Sequence, residues 1–197
     1  MKRKTSAREK LLDAAFEAIY INGYAATSVD AVLQKAGVPK GSLYHHFGSK
    51  KALVLAMVKE RLFPKMDQFF RFEKEEGCSV YESFRKTYVA VSKNRWLITY
   101  GCPLHRLMVE LSAVDEDFDK LLLTKYEEMI HGIASLLRAG IESGEFTDEL
   151  DADKFARFML DATWGILSLS PSISSPKAFL EQSGYVLRML EGYIFTK

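Results

Sequence analysis

Apolar residues return at steps of three and four along almost the whole chain, the spacing that gathers them on one face of an α-helix. No stretch alternates with period two for more than a few residues, and neither an internal repeat nor a low-complexity tract interrupts the pattern. An all-α fold of about nine helices is predicted. From Ser6 or Ala7 to Ile21 the stripe is Leu11, Leu12, Ala15, Phe16, Ile19 and Tyr20, closed by Asn22-Gly23. A long helix opening at Ser49 carries Leu53, Met57, Val58, Leu62, Met66, Phe69 and Phe70. Pro64 lies inside that run, which predicts a kink or break near Glu60 to Phe63. Further helices are expected over Val80 to Trp96, Leu104 to Ala113, the Asp115–Asp119 region to Ser143, Ala152 to Leu169, and Pro176 to Phe195.

Between the first helix and Ser49 the punctuation is denser. Thr27 followed by Asp30 is a variant of the capping box, so a helix starts at Thr27 or Ser28 with Val29, Val32 and Leu33 on its inner face. Gly37 suits the left-handed position after Ala36, and Pro39 cannot continue the ladder. A second, short helix then begins at Gly41, with Leu43 and Phe47 pointing inward and Ser42, Tyr44, His45 and His46 on other faces. Two helices joined by a tight glycine-containing turn form a helix-turn-helix, whose second helix enters a DNA major groove.

Composition narrows the field mostly by exclusion. No run approaches the roughly 20 apolar residues of a membrane span, and the charged N-terminus lacks an apolar segment after it, so a cytoplasmic protein is expected. Cys78 and Cys102 are too few for a disulfide framework, and His45, His46, His105 and His131 have no metal-ligand spacing. There is no glycine-rich phosphate loop or serine-centred elbow; no catalytic residue, metal or cofactor is expected. The net charge of +1 conceals an asymmetry. Residues 1 to 61 hold 11 Lys and Arg against 5 Asp and Glu, whereas residues 62 to 197 hold 16 against 21, so +6 faces −5. A basic module for DNA joined to a domain with another task has this distribution. Met1 to Arg8 reads as a basic arm near phosphates or as a solubilising end.

Four clusters at fixed spacing carry a family likeness: Thr27-Ser28-Val29, Ala36-Gly37-Val38, Gly41-Ser42-Leu43-Tyr44-His45-His46-Phe47 and Ser49-Lys50-Lys51-Ala52-Leu53. Together they resemble the DNA-binding signature of the TetR family of bacterial transcription repressors. Leu33 stands where that family usually has alanine, and Lys51 where an acidic residue is common. The resemblance is specific over residues 9 to 55 and implies a helix-turn-helix domain at 1–49. For residues 50–197 it implies a helical domain that binds a small-molecule effector and forms a homodimer through its last two helices. A DNA-organising protein without an effector, and a helical enzyme or carrier, are the alternatives.

Roles then follow by chemistry. Thr27 and Ser28 at a helix N-terminus, Lys40, Gly41, Ser42, Tyr44, His45 and His46 on or before the short helix, and Lys50 and Lys51 beside it are the expected contacts to double-stranded operator DNA. An apolar effector pocket is expected among Phe69, Phe70, Tyr88, Trp96, Tyr100, Cys102, His105, Met108, Tyr126 and Trp164, since aromatics with one polar tip hold and orient a flat or hydrophobic molecule. Cys102 before Pro103 falls at a helix N-cap, where a thiolate would be favoured; a small buried thiol is the alternative. The dimer is expected to use Phe155, Phe158, Met159, Ala162, Leu180, Leu187, Leu190 and Ile194.

Overall fold

The computed structural model describes residues 6–70, 72–74, 76–169 and 174–194. Apart from one isolated bridge between Phe146 and Ile194, the regular structure of those residues is helical: α1 (Ala7–Asn22), α2 (Val29–Ala36), α3 (Lys40–His46), α4 (Lys50–Met57), a π-helical turn (Val58–Leu62), α5 (Phe63–Phe69), α6 (Val80–Lys93), α7 (Arg95–Tyr100), α8 (Pro103–Leu111), α9 (Glu116–Glu142), α10 (Ala152–Leu167) and α11 (Pro176–Glu191). Met1 to Thr5 of the expected basic arm and Phe195 of the expected last helix lie outside the described residues.

Two compact units emerge. One comprises residues up to Gln68 together with Arg106–Leu122; the other comprises Phe69–His105 and the residues from Leu123 onward. The boundary expected at residue 49 falls inside the first unit, because α1 packs on α4 and the π-helical turn as well as on α2 and α3. Leu11, Leu12, Ala15, Phe16 and Ile19 of α1 are buried together with Val32 and Leu33 of α2, Leu43 of α3 and Leu53, Val54 and Met57 of α4. Each large side chain in such a core contributes about 1.5 to 3 kcal/mol.

The expected irregularity near Pro64 takes a definite form. Phe63 N–H bonds to the Val58 carbonyl, five residues back, so the chain widens to π register just ahead of the proline. Pro64 has no N–H for the Glu60 carbonyl four residues earlier, and that oxygen accepts instead from Arg61 Nη1 at 3.0 Å. Arg61 also bonds to Glu9 and, at 2.6 Å, to Asp13, tying this turn to α1.

In the second unit α6 packs on α7 and α11, and α10 packs on α7 and α11. Phe84, Tyr88 and Val91 of α6, Phe179, Val186 and Leu190 of α11, and Met159 and Leu160 of α10 make its core. The single helix expected from Val80 to Trp96 is two. Asn94 ends α6 in extended backbone, and its Oδ1 accepts from Trp96 N at 3.0 Å and Leu97 N at 3.2 Å, starting α7 afresh. At Gly140 a Cβ would lie 2.4 Å from the buried Phe146 ring, so the glycine there makes room for the aromatic.

Candidate functional site

The entry to α2 is set by local hydrogen bonds. Ser28 Oγ accepts from Ala31 N at 3.1 Å, and Gly37, at φ 63°, ends the helix in left-handed backbone. Pro39 then starts α3, whose inner residue Leu43 is completely buried. The opposite side of α3 faces outward. Lys40, Gly41, Tyr44, His45 and His46 are exposed and Ser42 half-exposed, with Tyr44 keeping 53% of its surface. Lys40 Nζ lies 3.5 Å from Asp30 of α2, an exposed pair that leaves the ammonium accessible. A two-turn helix with a cation, a phenol and two imidazoles on its free face can reach phosphates and base edges.

Three expected DNA contacts have bonds within the first unit. Thr27 is 2% exposed and its hydroxyl donates to the Gly23 carbonyl at 2.7 Å. It fastens the turn before α2, and Ser28 is the cap. Lys50 Nζ donates to the Tyr24 carbonyl at 2.6 Å and lies 4.1 Å from the centre of that residue's ring. Burial pulls its pKa below the usual lysine value. Lys51 Nζ meets Asp115 at 2.8 Å and Asp117 at 2.7 Å, and those hydrogen bonds raise its pKa. Both lysines make their bonds to groups of the first unit, and Lys51 remains partly exposed.

A further member of this turn was not visible in the residue pattern. Glu110, near the end of α8, accepts from Tyr24 N at 2.8 Å through Oε2 and from Ala25 N at 2.7 Å through Oε1. The Tyr24 ring packs against Phe118 with centroids 5.5 Å apart. Thus the α1–α2 turn is held by α8, by the start of α9 and by α4. Nothing local to Glu110 marks it for this task.

The second unit contains an apolar cavity walled by Phe70, Phe72, Phe84, Ile133, Met159 and Leu160, with Thr87, Tyr88 and Thr163 also lining it. Its free space is about 10 Å³, room for a single water, so a larger occupant must displace the walls. Tyr88 Oη lies 3.0 Å from Thr163 Oγ1, whose own proton goes to the Met159 carbonyl at 2.6 Å. Burial pushes the Tyr88 phenol up to about 12. Of the expected pocket residues only Phe70 and Tyr88 line this cavity. Phe69, next to Phe70, is half-buried at the end of α5.

His105, Tyr126 and Trp164 gather separately, with ring centroids 5.0 Å apart for His105–Trp164 and 5.2 Å for Tyr126–Trp164. His105 Nδ1 lies 2.8 Å from Ser168 Oγ, and Tyr126 Oη donates to Asp161 at 2.8 Å. Trp96 and Tyr100 form a tilted pair at 5.4 Å, with Trp96 exposed, and Met108 belongs to the first unit. Of the missed wall residues, Phe72, Phe84 and Thr163 read in sequence as ordinary helix stripe or loop, and Met159 as part of the dimer interface.

Cys102 does not carry a favoured thiolate. Its sulfur accepts from the backbone of Leu104 and His105, as a cap should, but the residue is 0% exposed and burial raises the thiol to about 12. Desolvation of the anion outweighs the helix terminus. Cys102 is a packing residue.

A capped helix-turn-helix whose short second helix is exposed, in a chain whose other unit is helical with an apolar cavity, fits a DNA-binding transcription regulator. Two family models match the chain: bacterial regulatory proteins of the tetR family over residues 11–57, and the tetracyclin repressor-like C-terminal domain over residues 82–179. An uncharacterised helix-turn-helix-type transcriptional regulator of Lactococcus lactis subsp. lactis is 31% identical over 138 residues, 68% of this chain and 69% of that protein. The fatty acid metabolism regulator protein of Bacillus subtilis strain 168 is 29% identical over 167 residues, 83% of this chain and 82% of that protein. Among solved structures, regulatory protein TetR from Rhodobacter sphaeroides is similar with a TM-score of 0.82 at 24% identity, covering 92% of this chain and 97% of that one. The chain belongs to the TetR family of bacterial transcription regulators.

Proposed function

We propose that this regulator is a cytoplasmic homodimeric repressor that grips a partly palindromic operator through α3 and releases it when an apolar small molecule enters the second unit. Within the first unit residues 1–49 would read DNA, and the second unit would bind the effector and the second copy. The observation that carries the DNA reading is the outward row Lys40, Gly41, Ser42, Tyr44, His45 and His46, on a helix whose inner side is fixed by buried Leu43. Ser28 adds a hydroxyl at the exposed start of α2. Among the described residues no helix is long and apolar enough to cross a membrane.

Support for the dimer lies on α10 and α11, though not at all the expected positions. Phe155, Met159, Leu187 and Leu190 are in the unit's own core. What remains outside is Phe158, Leu169, Leu180, Tyr185 and Met189, large apolar side chains exposed on or beside two neighbouring helices. Gly165 and Gly184 on the same helices have open space where a Cβ would stand, which allows close approach of a second backbone. A sedimenting monomer at micromolar concentration would refute this arrangement.

The deciding experiment selects binding sites from random double-stranded DNA. A two-fold site with half-site centres roughly 34 Å apart, or a multiple, is expected. His45→Ala and Tyr44→Ala should relax its sequence preference, while Lys40→Ala should weaken all sequences and lower the salt slope. Equal binding to every sequence would instead favour the DNA-organising alternative.

A further inference from the structure

The cavity in the second unit is small and its walls are chemically uniform. None of its wall residues carries a formal charge. Its polar groups are three hydroxyls, and two of these are committed: Thr87 donates to the Ser83 carbonyl at 3.1 Å and Thr163 to the Met159 carbonyl at 2.6 Å. Because Thr163 has spent its proton, the Tyr88 phenol is the donor in the Tyr88–Thr163 pair, 3.0 Å long. That leaves the phenol oxygen with unused acceptor capacity on a residue of the cavity wall. A guest hydroxyl can donate to it, and a guest carbonyl can accept its proton if Tyr88 turns from Thr163. A carboxylate would find one neutral donor and no cation, so losing its water would go uncompensated. Tyr88 stays protonated throughout the physiological range, since burial holds it near 12.

We infer that the effector is an uncharged, mainly apolar molecule with one hydroxyl or carbonyl group, read by Tyr88 and Thr163, and that anionic amphiphiles of the same shape are rejected. This rests on the reading of the second unit as the effector domain. Phe70 and Phe72, whose rings stack 6.3 Å apart, form the wall best able to shift, because Phe72 lies in non-helical chain between α5 and α6. Phe72 rests over Gly132, 3.9 Å from where a Cβ would be, so no side chain on α9 pins it at that point.

The test compares 1-decanol with decanoate at pH 7.5 on the full chain, by calorimetry, with release of fluorescent selected operator followed in parallel. Expected is at least tenfold tighter binding of the alcohol. Tyr88→Phe and Thr163→Val should reduce that preference, whereas Thr163→Ser, which retains the hydroxyl, should keep it. Thr163→Val keeps the shape of threonine and Thr163→Ser keeps its hydroxyl, so the pair remains informative if Tyr88→Phe unfolds. Equal or tighter binding of decanoate, binding of neither compound, or a preference indifferent to all three substitutions would overturn the proposal. If decanol binds with the expected preference but operator stays bound, the ligand class stands and the effector reading of the unit falls.

Discussion

The two units use one device in two settings. In the first, Glu110 takes the backbone N–H groups of Tyr24 and Ala25; in the second, Glu145 takes those of Val80 and Tyr81, both at 2.7 Å. Glu145 acts at the start of α6, where unsatisfied N–H groups and the helix dipole attract any carboxylate, and Ser79 already serves Glu82 N nearby. Its work is complete once α6 is capped. Glu110 meets a turn that is not helical, and what it holds is the approach of the chain to α2. The same chemistry is therefore thermodynamic in one place and positional in the other. Stability and DNA affinity should separate when the two are disturbed.

The largest difference is expected from the neighbouring glycines. Gly23 has φ 87° and ψ 167°, a region almost closed to residues with a Cβ, and a Cβ there would stand 3.1 Å from Glu110 Oε2. Gly23→Ala should cost about 3 kcal/mol, strain and a displaced carboxylate together. Gly144, beside Glu145, also has positive φ, at 74°, but open space around it. Gly144→Ala should cost only about 1 kcal/mol. Urea unfolding of both variants measures this, and equal losses would remove Glu110 from the account.

Next come the carboxylates themselves. Glu145→Ala exposes two helix-terminal donors and should lower stability by about 2 kcal/mol, seen as faster amide exchange at Val80 and Tyr81, with operator affinity unchanged. Glu110→Ala should cost about 1 kcal/mol, since its partners are nearer solvent, yet weaken operator binding roughly tenfold through a loosened α2. Glu110→Gln keeps one acceptor and should fall between. A Glu110→Ala protein with full affinity would make this contact structural only.

How far these features can be read in the sequence depends on the range of the interaction. Ser28, Ser49, Ser79 and Ser175 cap helices through atoms three residues away, so a short window contains both partners. Thr27 and Ser28 are adjacent hydroxyls, and only the fold shows which one is buried. Lys50 and Lys51 have the chemistry of phosphate contacts, but their partners are a backbone carbonyl at Tyr24 and carboxylates at Asp115 and Asp117, distant in the chain. At Cys102 both the favourable cap and the buried thiol were legible, and only the fold decides between them. Likewise Phe70 and Tyr88 announce a cavity by type, whereas Phe84 and Thr163 join it only because the fold brings α6 and α10 to the same cavity.

Acid should separate the units, by the smallest of these effects. His105 is half-buried against Trp164, and burial holds its pKa below the ordinary 6.5, with Asp161 pulling weakly the other way. The unfolded chain therefore takes up a proton at His105 that the folded second unit resists. Its contribution to stability is complete above about pH 6.5 and is lost progressively as pH falls below that value. In the first unit the sign is the same and the window lower. Lys51 holds the Asp115 carboxyl below its ordinary 3.8, so that contribution persists until the pH drops beneath 3.8. Between pH 7 and 5 amides of the second unit should lose protection while those around Tyr24 do not, once intrinsic exchange rates are corrected. His105→Asn should flatten the profile of the second unit and leave the first unaltered. Parallel loss in both units would mean that they open together, and the division of labour between Glu110 and Glu145 would then have to be tested at the level of the whole chain.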